Sequence, residues 1–242
     1  GLHVVAAPNS LKGTEYLAQH PEARAEDVMW AFENKQVKAI IANIGGNDSH
    51  KLLPYLDPEV IRKNPKILCG YSDVMNLHLY CHQLGLSTFY GPNLLTTVAE
   101  TKAWHPYSKK WFQKVFFETE AIGEIPPSED WSYDAYDHEN PQHIRQYTTN
   151  QGYEPVQGKG VVRGRLFGGH GGLMEYDSDS LITLTKEDFA DTILFFEDIP
   201  EFCDVAYMGD FFDWLGRKGY LQVLKGVIIG KMCTPQPFQP YT

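Results

Sequence analysis

The sequence predicts an α/β fold with two α/β domains, an N-terminal one built on a parallel sheet and a smaller C-terminal one. Short apolar runs alternate with helix-like stretches over residues 1–118, and a second series of apolar runs follows residue 157. Such continuous apolar runs are typical of parallel strands that are covered on both faces. Residues 119–156 lack a steady hydrophobic period. We therefore predict domains over residues 1–118 and 157–242, joined by a linker or substrate loop over 119–156.

The elements of the first domain follow from the spacing of its apolar residues. Residues 21–32 repeat apolar side chains at helical spacing, and a proline at their start suits the first turn of a helix. Residues 37–44 and 66–69 are almost wholly apolar and predict buried strands. A helix is predicted over 74–84, and a short strand over 88–90 ends this domain's pattern.

The second domain shows the same alternation in fewer elements. Residues 160–167 predict a strand that ends at a glycine-rich turn, and residues 192–196 predict a buried strand. Asp204 then caps a predicted helix with a single apolar stripe. Residues 226–230 form a last predicted strand before a proline-rich tail.

Composition narrows the partners of this chain. The 242 residues carry 21 Lys and Arg against 31 Asp and Glu, so the formal net charge is −10, and no basic block is present. Nucleic acid and anionic membrane are therefore excluded as expected partners. The apolar runs are too short to span a bilayer, no signal peptide is visible, and four scattered cysteines form no C-x-x-C pair. We expect a cytoplasmic protein with free thiols, whose natural N-terminus precedes this chain because no Met begins it.

The tetrapeptide Gly70-Tyr71-Ser72-Asp73 lies between a predicted strand and a predicted helix. A serine on such a turn has its hydroxyl pushed out of the sheet, and the first amides of the helix, including that of Asp73, can stabilise an oxyanion. This is the arrangement of an activated serine nucleophile. Position 74 is not glycine, so the full G-x-S-x-G motif is not spelled. The alternative is a turn in which Ser72 or Asp73 only caps the helix.

Two further residues lie at predicted strand ends, where open α/β sheets bind ligands. The amide of Gly46 would make a two-donor oxyanion hole if it faced the amide of Asp73. Glu197 follows four apolar residues and could orient an imidazole as the third member of a triad. The alternatives are glycines that only permit a tight turn and a solvated carboxylate.

Three histidines are candidate functional groups: His78, His82 and His170. His78 and His82 are four residues apart on the predicted helix, but a zinc site needs a third ligand and no H-E-x-x-H pattern is present. We favour a site without metal and keep a metal-dependent hydrolase as an alternative. His170 lies between two glycine pairs after a strand, where it is placed for a pocket or is simply a loop histidine. Neither glycine-rich turn spells a nucleotide-phosphate motif.

Nine segments carry a family resemblance in their order and spacing: residues 21–27 (PEARAED), 44–48 (IGGND), 52–57 (LLPYLD), 64–67 (NPKI), 70–73 (GYSD), 89–92 (FYGP), 164–169 (GRLFGG), 193–197 (ILFFE) and 225–231 (KGVIIGK). Together they resemble the LD-carboxypeptidase family of serine peptidases, and in particular its microcin C immunity branch. The resemblance covers nearly the whole chain.

The resemblance implies a serine carboxypeptidase that hydrolyses amide bonds with a Ser-His-Glu triad and without a metal or other cofactor. Ser72 is then the nucleophile, the amides of Gly46 and Asp73 form the oxyanion hole, and Glu197 orients the histidine. The family also implies two α/β domains and commonly a homodimer.

The resemblance further implies the substrate. In the classical branch the bond joins an L-centre to a terminal D-alanine in a cell-wall peptide; in the immunity branch it joins aspartate to a modified adenylate. We predict that Asn47, Trp131 and His170 bind a small peptide or an aminoacyl-nucleotide. Some family members carry a second tryptophan seven residues after the first, a position held here by His138.

The chain departs from the family at its ends. The family's catalytic histidine lies downstream of the strand matched by residues 226–230, in a segment that we expect this chain to lack, as it lacks the first strand and helix. His170 would substitute only by proximity. A non-catalytic binding protein, which keeps the cleft without the base and binds ligand without turnover, therefore stays open as an alternative.

Overall fold

A computed structural model describes residues 2–100, 103–132, 134, 137, 139–140, 142–173, 181–199 and 203–231. His138, Cys233 and the proline-rich tail lie outside these ranges. The described residues form two three-stranded parallel sheets and one two-stranded antiparallel ribbon. The fold is therefore α/β, as the sequence predicts, while the domain boundaries stay a prediction.

The first sheet has the strand order β1-β2-β3. Its elements are helices α1 (Thr14–Gln19) and α2 (Pro21–Glu33), strand β1 (Ala39–Ile41), a 3₁₀ helix (Ser49–Tyr55), α3 (Pro58–Lys63), β2 (Ile67–Gly70), a 3₁₀ turn (Ser72–Val74), α4 (Met75–Gln83), β3 (Phe89–Tyr90), a π-helical turn (Leu94–Val98) and α5 (Pro106–Phe117). The carboxyl ends of the three strands lie at one edge, because all pairings are parallel. This edge holds both Ser72 and the glycine-rich loop after β1.

The second sheet has the strand order β6-β7-β8 and is also parallel. In the sequence, a two-stranded antiparallel ribbon of β4 (Asp130–Trp131) and β5 (Thr148–Thr149) lies between the two sheets. The second sheet's elements are β6 (Arg165–His170), a 3₁₀ turn (Gly171–Leu173), α6 (Lys186–Phe189), β7 (Thr192–Glu197), α7 (Val205–Arg217), a 3₁₀ turn (Leu221–Val223) and β8 (Gly226–Ile229). His170 and Glu197 are paired at the carboxyl end of this sheet.

One cluster of buried apolar side chains extends through both sheets. Its largest fully buried members include Phe32 of α2, Leu68 of β2, Phe189 of α6, Phe196 of β7 and Phe211 of α7. Packing of these side chains holds the carboxyl edges of the two sheets in a fixed relation, because interiors at this density resist deformation. In the parts of the chain that the structure describes, no helix combines the length and apolar character needed to cross a membrane.

The structure corrects the bounds of two predicted strands. The first strand covers only Ala39–Ile41 of the predicted residues 37–44. The strand predicted over 160–167 starts at Arg165 and continues through Gly168 and Gly169 to His170. These glycines do not end the strand, because they are the positions where neighbouring groups approach too closely for a side chain: a Cβ on Gly168 would overlap the carbonyl of Phe195. The helices over 21–32 and 74–84 are confirmed within two residues.

Candidate active site

Ser72 lies on a strained turn at the carboxyl end of β2. Its φ of 62° is in the left-handed region, which among the described non-glycine residues only Ser72 and Asp191 occupy. Such a conformation costs about 1–2 kcal/mol for an L-residue and is concentrated at functional sites. Among the described residues, the Ser72 hydroxyl makes no hydrogen bond. The turn therefore holds the hydroxyl without a partner among the residues that the structure describes.

The loop after β1 packs directly on this turn. A Cβ added to Gly45 would lie 2.9 Å from Cβ and 3.0 Å from Oγ of Ser72, so only glycine leaves room for the hydroxyl. The amide of Gly46 makes no hydrogen bond with the described residues. The amide of Asp73 stands in the first turn of a helix, where no intrahelical acceptor is available. Asn47, which the sequence predicts as a substrate-binding residue of the same loop, is exposed.

The carboxylate of Asp73 anchors that loop. It is buried, and its Oδ2 accepts hydrogen bonds from the amides of Asp48 at 3.1 Å and Ser49 at 2.9 Å. Its Oδ1 accepts a third from Nδ2 of Asn76 at 3.1 Å. A buried carboxylate needs such donors to compensate for lost hydration. From the sequence, Asp73 is predicted only as an amide donor of the oxyanion hole or as a helix cap, although an acid directly after the serine is the available signal for this anchoring role.

Glu197 is connected to Ser72 through Tyr90. The amide of Ser72 donates to the hydroxyl oxygen of Tyr90 at 2.8 Å, and the Tyr90 hydroxyl donates to Oε1 of Glu197. Ser72 follows the end of β2 in the first sheet, and Glu197 ends β7 in the second sheet. Tyr90 has no predicted role from the sequence, because its hydrogen bond with Glu197 joins residues 107 positions apart and is visible only in the fold.

His170 lies beside Glu197 rather than beside the Ser72 hydroxyl. Its Nδ1 is 3.6 Å from Oε1 of Glu197 and 3.4 Å from Oδ1 of Asp198. Asp198 is almost fully buried, and it was not predicted from the sequence. Within the described ranges, no imidazole is hydrogen-bonded to Ser72 Oγ.

The charges of this cluster stabilise one another. Burial by itself would lower the pKa of His170, but the hydrogen bond with Glu197 and the charges of Glu197 and Asp198 raise it above its ordinary value. Burial by itself would raise the pKa of Glu197, but the hydrogen bonds from His170 and Tyr90 lower it. Each group therefore favours the charged form of the other.

Trp131 lines a cavity of about 340 Å³ that begins next to the serine turn. The residues that could contact a ligand there include Tyr71, Glu100, His105, Trp131, Arg145 and Tyr147. The rings of His105 and Tyr147 are stacked, with centroids 5.0 Å apart, and Arg145 forms an ion pair with Glu100. The cavity thus combines aromatic faces with charged groups.

The two helix histidines have separate partners. Nδ1 of His78 is 2.8 Å from Oγ1 of Thr88, and its Nε2 is 2.9 Å from the carbonyl of Gly70. Burial lowers the pKa of His78 to about 4, which keeps this ring neutral. His82 pairs instead with Asp188 at 2.8 Å. Across the described residues, no three His, Cys, Asp or Glu side chains are grouped for metal binding.

A serine on a strained strand–helix turn, beside backbone amides without acceptors, is typical of α/β hydrolases that use a serine. Comparison with known proteins gives the family. The family model for the LD-carboxypeptidase N-terminal domain matches residues 1–91. A solved MccF-like protein from Streptococcus pneumoniae in complex with AMP is 30% identical, with a TM-score of 0.84 over 94% of this chain and 72% of that one. The chain belongs to the LD-carboxypeptidase family of serine peptidases.

Two curated relatives are similar over most of this chain. "Putative carboxypeptidase YocD" of Bacillus subtilis is 36% identical over 173 residues, which are 70% of this chain and 51% of that protein. The microcin C7 self-immunity protein MccF of Escherichia coli is 27% identical over 250 residues, which cover 100% of this chain and 71% of MccF. The chain therefore spans about half the length of YocD.

Proposed function

We propose that this protein is a serine carboxypeptidase or amidase that hydrolyses an amide bond of a small peptide or an aminoacyl-nucleotide. The observation that supports it most is the left-handed backbone of Ser72, whose hydroxyl stands against Gly45, the neighbour of Gly46 in the sequence. The family's carboxypeptidase relatives agree with this chemistry.

In the proposed reaction, Ser72 Oγ forms a bond to the carbonyl carbon while a base removes its proton. The negative charge that develops on the carbonyl oxygen is stabilised by the amides of Gly46 and Asp73. Collapse breaks the C–N bond, and the protonated base gives its proton to the leaving amine. Water then attacks the acyl-enzyme ester, and the same base restores the Ser72 hydroxyl.

We further propose that the base is an imidazole oriented by Glu197. His170 is an unsuitable base because its Nδ1 contacts Glu197 and Asp198, which favours the protonated ring. We therefore assign the base to a histidine outside the described residues, as the family resemblance implies. Oε1 of Glu197 is taken by Tyr90, and Oε2 has no hydrogen-bond partner in the described ranges. Oε2 is thus the oxygen that would receive the imidazole N–H.

We propose that the cavity lined by Trp131 binds the substrate's leaving group. Tyr71 adjoins both this cavity and Ser72, so a substrate with its carbonyl at Ser72 can extend into the cavity. Aromatic faces such as those of Trp131 and Tyr147 stack on nucleobases. The AMP complex of the streptococcal relative makes an aminoacyl-nucleotide the first substrate to test, and a peptide ending in D-alanine the second.

The decisive test is Ser72→Ala. We expect this substitution to lower kcat for the preferred substrate by at least ~1000-fold, because the nucleophile is gone, while substrate affinity is retained. Hydrolysis of an aminoacyl sulfamoyl adenosine and of an L,D-peptide is followed by mass spectrometry. Ser87→Ala, at an exposed serine away from the turn, is the matched control and should keep full activity. Activity of Ser72→Ala within tenfold of the parent would contradict the assignment.

A non-catalytic binding protein is the second candidate. The observation that favours it is the absence of an imidazole next to the Ser72 hydroxyl among the described residues. It predicts that the protein binds both ligands without turnover and that a fluorophosphonate fails to label Ser72. Labelling at Ser72, with an increase when free imidazole is added, would support the enzyme instead.

We also carry forward two proposals on the protein's setting. A cytoplasmic location is proposed from the cysteine pattern, and a homodimer from the family resemblance. Sedimentation velocity measures the second directly, and a monomer at all accessible concentrations would rule it out.

A further inference from the structure

The side chain of Tyr90 crosses from the first sheet to the second at the candidate active site. Tyr90 ends β3, where it pairs with Gly70, and its ring lies against β6. A Cβ on Gly169 would be 2.8 Å from Cδ2 and Cε2 of this ring and 2.7 Å from Sδ of Met75. Glycine at position 169 therefore makes the space through which the ring reaches Glu197.

The direction of the hydrogen bonds around Tyr90 is fixed by chemistry. A backbone N–H can only donate, so the amide of Ser72 gives its proton to the Tyr90 oxygen. The single hydroxyl proton of Tyr90 is then available for Oε1 of Glu197, which as a carboxylate can only accept. The three groups form one continuous chain in which each donor has one acceptor.

The ionisation of the pair is also fixed. Burial and the charge of Glu197 strongly raise the pKa of Tyr90, so the phenol keeps its proton. The hydrogen bonds from His170 and Tyr90 lower the pKa of Glu197 against the effect of its burial. The phenol is therefore a neutral donor to a charged acceptor, which is the stronger class of hydrogen bond.

We propose that Tyr90 is a positioning residue for amide hydrolysis: its hydroxyl holds the Glu197 carboxylate at a fixed place relative to the Ser72 backbone and leaves Oε2 for the imidazole. This inference rests on the proposed function. Since Tyr90 acts through Glu197 and the turn, we expect it to affect kcat rather than substrate affinity.

The test is Tyr90→Phe, which keeps the ring next to the rings of His78 and Phe195 and removes only the hydroxyl. In ¹³C-carboxyl NMR, with the signal of Glu197 assigned by Glu197→Gln, we expect the Glu197 pKa to rise because a donor to the carboxylate is lost. We also expect kcat to fall by ~10- to 100-fold at nearly constant KM, with the acidic limb of the kcat profile moved to higher pH. A merely structural effect would not move that limb.

Tyr220→Phe is the matched control. It also removes a buried phenol hydroxyl that donates to a single acceptor, the carbonyl of Leu184 at 3.0 Å, but it lies away from the site. We expect this variant to lose comparable stability while the Glu197 titration and kcat stay unchanged.

The outcomes separate this inference from the proposed function. An unchanged Glu197 titration and kcat in Tyr90→Phe, with Ser72→Ala inactive, would overturn the role of Tyr90 and leave the enzyme intact. A changed titration in a protein that hydrolyses neither substrate would support the hydrogen bond and overturn the catalytic role.

Discussion

At the scale of single residues, the conformation of Ser72 connects stability and chemistry. A serine at φ 62° is disfavoured because its Cβ crowds the backbone, so the surrounding contacts must hold it there. Two such contacts are the hydrogen bond from the amide of Ser72 to the hydroxyl oxygen of Tyr90 at 2.8 Å and the close packing of Gly45 on the Ser72 side chain. The same strain presents the hydroxyl to a substrate, which gives it a functional explanation.

Ser72→Gly tests this strain. Glycine removes about 1–2 kcal/mol of backbone strain, offset by about 0.5–1 kcal/mol for its more flexible unfolded chain. We therefore expect the free energy of unfolding to stay equal or to rise by up to ~1.5 kcal/mol, although the proposed nucleophile is lost. The control Ser108→Gly, inside α5, should lower it by ~0.5–1 kcal/mol. Equal losses in urea unfolding of the two variants would mean that Ser72 is unstrained.

At the scale of elements, the glycine loop and helix α4 are held together by Asp73. Its carboxylate accepts the amides of Asp48 and Ser49, and Asp48 in turn pairs with Arg24 of α2 at 2.6 Å. The loop is therefore fixed from both sides. An amide at Gly46 can be ready for an oxyanion only if the loop that carries it does not move.

Asp73→Asn should loosen this loop. Asparagine replaces one acceptor oxygen with an NH₂ group, which can only donate. That group must face either the amides of Asp48 and Ser49 or Nδ2 of Asn76, all of which are also donors. We expect a loss of ~1–3 kcal/mol in the free energy of unfolding and faster hydrogen exchange at Asp48 and Ser49. Asp57→Asn is the control, because Asp57 also accepts two backbone amides at the start of α3 and asparagine caps helices as well. Equal behaviour of both variants would contradict the anchoring role.

The sequence could predict what depends on local pattern. The strand–turn–helix around Ser72 and the strand end at Glu197 follow from runs of apolar residues, and both elements are present. The spelling of Gly168 and Gly169 predicted a turn, but close packing against other strands puts glycine in the middle of β6. Tyr90 and Asp198 could not be assigned, because their roles arise from contacts between distant segments.

At the scale of the whole molecule, helix α4 joins the two sheets. His82 pairs with Asp188, and Gln83 bonds to Leu181 and Thr183, all about one hundred residues away in sequence. These contacts reinforce the shared apolar core. The separation between Ser72 and Glu197 therefore depends on an interface that lies outside the site itself.

His82→Ala tests this interface. We expect a loss of ~1–3 kcal/mol in the free energy of unfolding, because the hydrogen bond to Asp188 and the packing on Phe167 are lost. Burial would raise the pKa of Asp188, but hydrogen bonds from Thr185 and His82 lower it. A carboxyl group whose pKa is lowered by folding stabilises the fold at pH values above its pKa in the unfolded chain, which is about 3.9. This stabilisation is lost as the pH falls through the pKa of the same group in the folded protein.

The difference between parent and His82→Ala should therefore shrink below about pH 4. Urea unfolding at neutral and acidic pH measures this. The control is His20→Ala, whose pair with Glu22 is exposed and should contribute little to the free energy of unfolding. A difference that is the same at both pH values would show that the ion pair contributes nothing to the interface.

The space that Gly169 leaves for the Tyr90 ring also limits how this protein can diverge. Any side chain at position 169 would overlap Cδ2 and Cε2 of the Tyr90 ring. Phenylalanine has the same two atoms, so Tyr90→Phe would not remove the overlap. Loss of the ring is consequently necessary for a side chain at position 169 but not sufficient, because Sδ of Met75 is 2.7 Å from the same Cβ and the backbone has φ +146°. A lineage that changes Gly169 must therefore give up the link from Tyr90 to Glu197 as well.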